Sequence, residues 1–282
     1  MASAAVANSD STRSQPIRVR ARVTSNECEG GENYRIVLEV GGWPSWQPGQ
    51  FVMLSPGPES AVARYDPLLP RPMAIFDSAG EPANKRITVL YKLEGRGTRL
   101  IAEARVGDHV RVVGPLGRGF ALPAPETHAI LVGGGTGVAS LFGLARGLSA
   151  SCSVTVVLGA RRAELLMAAA DFEKLGVDLR IVTEDGSRGT SGLVTDVLAG
   201  LLEAADAPTR VFACGPTAMM RACSELARRA NVGCDVALEN RMACGFGVCL
   251  GCAVPMEAGG FSLVCHHGPV YDATELDWQG IP

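Results

Sequence analysis

Four of the nine cysteines are spaced like metal ligands. Cys244, Cys249, Cys252 and Cys265 form the pattern C-x4-C-x2-C-x12-C, and C-x4-C-x2-C…C is typical of plant-type [2Fe–2S] sites, in which thiolates hold two irons. Glycines between these cysteines let the backbone wrap closely around a cluster, so that N–H groups can reach the sulfurs. The spacing predicts an iron–sulfur site, which carries one electron at a time.

A zinc site with four cysteine ligands is the alternative. Zinc ribbons normally use two C-x2-C pairs, and only one such pair, Cys249 and Cys252, occurs here. The other five cysteines are scattered, and we expect most of them to be small core residues, with Cys214 as the exception. They are Cys28, Cys152, Cys214, Cys223 and Cys234.

A second candidate site is the glycine-rich run 131–139 (LVGGGTGVA), placed between a predicted buried strand and a predicted helix. Its backbone amides and the helix N-terminus can receive a pyrophosphate. The run is not the G-x-G-x-x-G fingerprint, and an ordinary strand–helix turn is the alternative. Residues 212–216 (FACGP) end a later strand at the same sheet edge, where ligands of open α/β sheets bind. The two segments together indicate a nucleotide site.

Further candidates lie in the first half of the chain, at 48–51 (PGQF), 71–75 (RPMAI), 90–92 (LYK) and 95–98 (GRGT). Arg71 can clamp a phosphate, and Tyr91 can flank a flat ring. Gly97 and Thr98 can offer backbone and hydroxyl donors to a diphosphate. Each has an ordinary alternative, respectively a turn, a cross-strand aromatic residue and a helix N-cap. Their order and joint presence favour a shared ligand site.

Two kinds of element position these residues. From 17 to about 122, short apolar or alternating runs bounded by turn residues predict an antiparallel barrel or sandwich. After 123–125, strands alternate with helices, which predicts a parallel sheet covered on both faces. The first predicted helix of that part ends at 148, and the others span 163–175, 193–202 and 217–229. The last 45 or so residues lack periodicity, so something other than a hydrophobic core must organise them.

Composition excludes several functional classes. The 26 basic and 29 acidic residues give a net charge of −3, which argues against nucleic-acid binding. An apolar content of 47% excludes a disordered chain. No apolar run reaches the ~18 residues that a membrane span requires, and residues 1–15 lack the apolar core of a secretory signal. We expect a soluble cytoplasmic protein with reduced thiols and a disordered tail at 1–16; an organellar transit peptide is the alternative.

Past this tail the sequence resembles the ferredoxin–NADP reductase superfamily, and within it the electron-transfer subunits of NAD-dependent (class 1B) dihydroorotate dehydrogenases. Three matches carry the resemblance: 66–72 (DPLLPRP), 184–187 (EDGS) through 192–196 (GLVTD), and 241–245 (RMACG) with its cysteines. It implies a multi-domain β plus α/β protein. The implied parts are an N-terminal antiparallel FAD-binding β-barrel at 17–123, a parallel-sheet NAD-binding α/β domain at 124–238 and a C-terminal [2Fe–2S] cluster segment at 239–282.

The resemblance also implies site residues. FAD would be held by Arg71, Pro72, Met73, Ala74, Leu90, Tyr91, Lys92, Gly97 and Thr98. The NAD pyrophosphate would lie on Gly133, Gly134, Gly135, Thr136 and Gly137, with Cys214, Gly215 and Pro216 near the nicotinamide. Cys244, Cys249, Cys252 and Cys265 would bind [2Fe–2S]. The superfamily usually has Ser or Thr at the position of Ala74, which offers the flavin N5 region only a backbone N–H.

FAD and [2Fe–2S] in one chain would connect two-electron nicotinamide chemistry with one-electron transfer. The four histidines, His109, His128, His266 and His267, form no general-base constellation, and we expect the last two to shield the cluster. The resemblance therefore implies a partner: an FMN-containing catalytic subunit that oxidises dihydroorotate to orotate, in a heterotetramer of two copies of each. Apolar residues Phe246, Val248 and Leu250 indicate a docking surface, or a loop packing on its own barrel.

Three alternatives stay open. The chain can be a reductase subunit for another acceptor, such as ferredoxin, sulfide or polysulfide, or a hydrogenase partner. It can also be a non-catalytic redox sensor, which needs no working nicotinamide site. Arg161 and Arg162 follow the second strand of the sheet, where they could bind the 2′-phosphate of NADP or be solvated residues at a helix start; the resemblance favours NAD.

Overall fold

The computed structural model describes residues 15–59 and 67–281. The predicted tail at 1–16, apart from its last two residues, and Asp66 of the 66–72 motif lie outside these ranges. The described chain forms a closed barrel, a mixed sheet flanked by helices and a C-terminal segment that touches both. None of the helices in the described ranges is long and apolar enough to cross a membrane.

Six antiparallel strands close the barrel in the order β1-β2-β5-β4-β3-β6. Side chains alternate across each strand, so Val52 and Leu54 pack inside the barrel, whereas Phe51 and Met53 pack outside it. A short helix, α1 (Arg96–Ala102), follows β5. The strands are β1 (Ile17–Gly30), β2 (Asn33–Val40), β3 (Phe51–Leu54), β4 (Arg71–Ala79), β5 (Lys85–Lys92) and β6 (His109–Leu116).

The sheet has seven strands in the order β10-β9-β8-β7-β11-β12-β15. All neighbours are parallel except β12 and β15, as expected where strands alternate with crossover helices. The strands are β7 (His128–Gly134), β8 (Ser153–Ala160), β9 (Asp178–Thr183), β10 (Thr190–Ser191), β11 (Thr209–Cys214), β12 (Gly233–Ala237) and β15 (Val270–Asp272). The helices are α2 (Val138–Leu148), α3 (Ala169–Lys174), α4 (Val194–Glu203) and α5 (Thr217–Arg229).

The predicted single helix over 163–175 was wrong. A 3-10 turn at Ala163–Leu165 is followed by extended backbone, and Ala168 adopts a left-handed φ of 56° before α3 begins. Met167 within this break is 2% exposed. The apolar side chains at 166–167 turn into the core rather than continuing one helix face, and this shortens α3.

The C-terminal segment contains more regular structure than its lack of periodicity indicated. A two-stranded sheet pairs β13 (Ala253–Pro255) with β14 (Phe261–Leu263). The third strand, β15, pairs with β12, so this segment completes the sheet that carries the glycine loop. Three-residue strands are too short for periodicity to reveal them.

Aromatic and ionic contacts hold the barrel against the sheet part. Phe76 of β4 stacks on Phe142 of α2 with ring centroids 4.3 Å apart. Arg35 of β2 bonds Glu29 and reaches Asp171 of α3 at 2.6 Å. The barrel and the sheet part therefore share a packed seam.

Candidate functional site

The four predicted metal ligands lie together in two pairs. Cys252 and Cys265 are buried, with their sulfurs 3.2 Å apart. Cys249, which is exposed, hydrogen-bonds the half-buried Cys244 through its side chain. Within residues 15–59 and 67–281, no three His, Cys, Asp or Glu side chains converge as the ligands of one metal ion do. Two thiol pairs fit a [2Fe–2S] cluster, which takes two protein ligands on each iron.

Backbone N–H groups approach the same sulfurs. Gly247 donates to the sulfur of Cys265 at 3.1 Å, and Cys265 donates to that of Cys252 at 3.4 Å. Burial raises the pKa of Cys244, but N–H groups of Phe246, Cys249 and Val248 outweigh it and lower the pKa to about 6. Hydrogen bonds to sulfur that favour the thiolate also favour a metal-bound sulfur.

Arg71 and Gly97 are in close contact on the outside of the barrel. A Cβ atom on Gly97 would lie 2.4 Å from the guanidinium of Arg71, so only glycine lets Arg71 lie across the start of α1. The same guanidinium donates to the carbonyl of Leu69 at 2.5 Å. A charged planar group held over the first turn of a helix can receive a phosphate.

The hydroxyl of Thr98 has a local role. It accepts hydrogen bonds from the N–H groups of Glu94 and Gly95, at 3.0 and 3.2 Å, and donates to the carbonyl of Gly95. This leaves the backbone N–H of Thr98, rather than its hydroxyl, for a diphosphate. Lys92 is half-buried and lies 4.0 Å from Glu94.

Neighbouring residues of β5 face opposite ways. Tyr91 is 1% exposed and points into the barrel, where its hydroxyl donates to Asn26 at 2.8 Å and its ring stacks on Tyr34. Burial raises the pKa of Tyr91. Leu90 points outward and packs with the sheet part. The ring of Tyr91 therefore does not face a ligand outside the barrel, and the ordinary alternative, a cross-strand aromatic residue, describes it.

Residues 71–74 begin β4 and are all half-buried. Ala74 pairs with Phe51 and Pro72 with Met53 of β3. Ala74 also packs against the apolar cluster that includes Leu90, Phe76 and α2. The strand predicted to hold the flavin thus has β3 on one side and the sheet part close to its first residues.

The glycine loop lies at the end of β7, opposite the end of β11. A Cβ on Gly137 would lie 2.4 Å from the carbonyl oxygen of Cys214, and one on Gly134 would lie 2.8 Å from the sulfur of Met219. Gly135 has a left-handed φ of 56° with open space before it. The fold therefore brings 133–137 and 214–216 together, with room on the outer side of the loop, where Gly135 is exposed and Thr136 is half-buried.

Cys214 is 1% exposed and donates to the carbonyl of Ala237 at 3.4 Å. Burial raises the pKa of its thiol to about 12, so the thiol is neutral at physiological pH. A neutral buried thiol packs like a small apolar group and is not a nucleophile.

Glu239 is a candidate residue that the sequence patterns did not single out. The side chain of Glu239 is accessible to water, although protein atoms surround much of it. It lies near Glu94 of the barrel part and Cys214 of the sheet. Burial, followed by the charge of Glu94, raises the pKa of Glu239. The carboxyl therefore lies between Glu94 of the barrel part and the end of β11, a place that we call the cleft. A single acidic residue after a strand forms no motif, which is why it was missed.

The two arginines after β8 lie among carboxylates. Arg162 pairs with Glu164 at 2.9 Å, and Arg161 accepts a backbone hydrogen bond from Asp185 at 3.2 Å. Hydrogen bonds from Ser187 lower the pKa of Asp185, and the charge of Arg162 adds to this.

The histidines contact other parts of the chain. His128 lies 2.9 Å from the hydroxyl of Thr155, and His109 is on β6. The ring of His266 packs over Gly247 in the cysteine loop, and His267 accepts from the N–H of Leu263.

Two family models match the chain. One describes the iron–sulfur cluster binding domain of dihydroorotate dehydrogenase B and matches residues 239–277; the other describes the oxidoreductase NAD-binding domain and matches residues 131–225. Each covers a part of the chain in which a candidate site lies, the cysteine pairs in the first and the glycine loop in the second.

Similar proteins match over most of the chain. The electron transfer subunit of dihydroorotate dehydrogenase B (NAD(+)) from Caldanaerobacter subterraneus subsp. tengcongensis is 36% identical over 262 residues, 92% of this chain and 98% of that protein. The Geobacillus kaustophilus subunit of the same name is 39% identical over 82% of this chain and 86% of its own. The structure of an NADH-dependent reduced ferredoxin-NADP oxidoreductase superposes with a TM-score of 0.79 at 26% identity, covering 93% of this chain and 91% of that one.

Proposed function

The chain belongs to the family of electron transfer subunits of dihydroorotate dehydrogenase B, and from this membership we propose that it passes electrons between a catalytic partner subunit and NAD+. It is an oxidoreductase subunit whose cofactors are FAD, an iron–sulfur cluster and NAD(H). The observation that carries the proposal is that the strand at Arg71 pairs with β3, on which the cysteine loop rests through Met53, while α2, which follows the glycine loop, packs on the same strand through Phe142 and Phe76. FAD and the cluster, when bound, supply the redox chemistry.

The residues of the chain bind and orient these groups. We assign the cluster to Cys244, Cys249, Cys252 and Cys265, because their sulfurs are paired and receive backbone N–H groups. The N–H group of Gly247 compensates negative charge on the sulfur of Cys265.

The flavin and nucleotide assignments use the main chain more than side chains. Arg71 over Gly97 holds a diphosphate, and residues 72–74 and 90–92 border the flavin through backbone groups and Leu90. Residues 133–137 hold the pyrophosphate of NAD(H), since Gly135 leaves open space on the outer side of that loop. Cys214 to Pro216 form the floor of the nicotinamide site, and the neutral Cys214 thiol excludes water there.

The proposed partner is an FMN-containing catalytic subunit that oxidises dihydroorotate to orotate, two copies of each subunit forming a heterotetramer in the cytoplasm. Exposed apolar side chains surround the cysteine loop and have exposed fractions of 56% for Phe246, 73% for Val248, 62% for Leu250 and 77% for Phe261. Exposed apolar side chains grouped in this way, three of them within one loop, are typical of interaction sites. Docking there would put the partner beside the cluster. The domain assignments 17–123, 124–238 and 239–282 belong to the same proposal.

A second candidate function is reduction of a different acceptor. The similarity to an NADH-dependent reduced ferredoxin-NADP oxidoreductase over 93% of the chain favours it. The two candidates share the flavin and nucleotide sites and differ only in what docks at the cysteine loop.

The test is co-expression of the tagged chain with the FMN subunit of the same organism under anaerobic conditions. We expect the two to co-purify with equal copy numbers and a mass of two plus two, and the complex to reduce NAD+ with dihydroorotate. Cys249→Ser should stop NAD+ reduction while the FMN subunit still oxidises dihydroorotate with an artificial acceptor. NADH-driven reduction of ferredoxin without any response to dihydroorotate would select the second candidate.

A further inference from the structure

Met53 is the side chain on which the cysteine loop rests. A Cβ on Gly245, the residue after the ligand Cys244, would lie 2.5 Å from Cγ and 2.8 Å from Sδ of Met53, and 3.3 Å from Leu116. Gly245 has a left-handed φ of 83°, so the backbone itself approaches the thioether. Met53 is 1% exposed although it lies on the outside of the barrel. The cysteine segment is what covers it.

The strand that carries Met53 also borders the proposed flavin strand. Met53 pairs with Pro72 and Phe51 pairs with Ala74 across β3 and β4. The outward side chains of β3 therefore contact the cysteine segment, while its backbone hydrogen-bonds the strand assigned to FAD.

A second contact fixes the other side of the segment. The N–H of Arg118 donates to the carbonyl of Gly268 at 2.6 Å, and Pro269 packs against Gly117. The cysteine segment is thus held against the barrel at two places, near Gly245 and at 268–269. In a closely packed interior, a change at one such contact is transmitted to its neighbours.

We propose that Met53 is a positioning residue for electron exchange between the cluster and FAD. Its side chain fixes the distance between the loop at Gly245 and β3, and it would keep water away from the cluster on the side of the strand assigned to FAD. The unbranched, flexible thioether side chain of methionine can fill an irregular gap beside the backbone of a glycine, which has no side chain of its own. The proposal rests on the proposed function, because it takes the [2Fe–2S] and FAD assignments as given.

The experiment compares Met53→Ala and Met53→Leu with Leu54→Ala as a matched control, all in the complex with the FMN subunit. Leu54 is on the same strand and equally buried, but it points into the barrel. The readouts are the EPR spectrum of the reduced cluster, its midpoint potential, and stopped-flow absorbance that separates reduction of FAD by NADH from reduction of the cluster.

Met53→Ala should leave FAD reduction at the wild-type rate and slow cluster reduction by about tenfold or more, because small displacements of reacting groups are costly. Its EPR spectrum should change and its midpoint potential should rise, since water stabilises the added negative charge of the reduced cluster. Met53→Leu conserves volume and should restore wild-type values. Leu54→Ala should lower stability but leave the EPR spectrum and potential unchanged.

Wild-type EPR, potential and cluster reduction in Met53→Ala would overturn the proposal, as would the same changes in Leu54→Ala. If Met53→Ala does not fold, Met53→Gln is used in its place. An unchanged midpoint potential in Met53→Gln would also overturn the proposal. Failure of the proposed function gives a different result: the wild-type complex itself would lack the EPR signal or show no cluster reduction by NADH.

Discussion

The cysteine loop and the seam between barrel and sheet hold their shapes by different means. Residues 241–250 have no helix or strand, Gly245 and Gly247 are left-handed and Cys249 is exposed. The seam has stacked aromatic rings, and Arg35 lies over Phe76 while bonding carboxylates on both sides. The seam is complete from protein contacts alone. The loop needs its cluster, because metal ligation supplies free energy that this stretch lacks in apolar contacts.

The largest expected effect comes from Cys252→Ser, which removes a buried ligand from the loop. We expect the cluster to be lost and dihydroorotate-dependent NAD+ reduction to fall by about 100-fold or more. NADH oxidation with an artificial acceptor should continue, because the seam and cleft stay folded. Limited proteolysis should cut within 241–250 in the variant and not in the wild type. Loss of bound FAD in this variant would contradict the separation of loop and seam.

On the seam side, Gly137→Ala should disturb the cleft and spare the loop. The new Cβ would meet backbone atoms of Cys214 and Gly215 at 2.4 to 2.6 Å, which side-chain motion cannot relieve. We expect the free energy of unfolding to fall by about 1–3 kcal/mol and NADH to bind more weakly in a fluorescence titration. The EPR signal should persist. Gly147→Ala, where nothing lies within 4 Å, is the control and should leave NADH binding unchanged.

Arg35→Met tests the ionic part of the seam. It leaves Glu29 without its partner, and one oxygen of Glu29 is already buried without a hydrogen bond. We expect urea denaturation to show a loss of about 2 kcal/mol. Arg180→Met breaks an exposed pair with Asp178 and should cost about 0.5 kcal/mol or less. Equal losses of unfolding free energy in the two variants would mean that the ion pairs of Arg35 stabilise the fold no more than an exposed ion pair does.

The smallest effect is an alkaline loss of stability from buried thiols. Burial raises the pKa of Cys214 and of Cys223 to about 12, whereas thiols in the unfolded chain ionise near pH 8.5. A raised pKa in the folded state favours the protonated thiol, so this stabilisation is complete below about pH 8.5 and is lost as the pH rises toward 12. Urea midpoints should decline above about pH 9, and Cys214→Ala should make the decline shallower. A midpoint that rises with pH would refute this.

Features whose residues lie close together in the sequence could be predicted, whereas features that depend on how the chain folds could not. The cysteine ligands and the glycine loop lie in short contiguous patterns, and the barrel and parallel sheet follow from strand and helix patterns. The direction of Tyr91 could not be predicted, since Leu90 beside it is also apolar and alternation alone does not say which one faces inward. The hydroxyl of Thr98 has two possible uses, and only the fold shows that the cap takes it. Glu239 becomes notable only when Glu94, far away in the chain, is brought near it.

Strand β15 has a consequence for the solution behaviour of the chain. It pairs along β12, which would otherwise present a free row of N–H and C=O groups at the margin of the sheet. Such margins recruit strands from other molecules and promote aggregation. The stretch that carries the cysteines thus also protects the sheet from self-association, and a chain cut after residue 238 should lose solubility as well as its metal ligands.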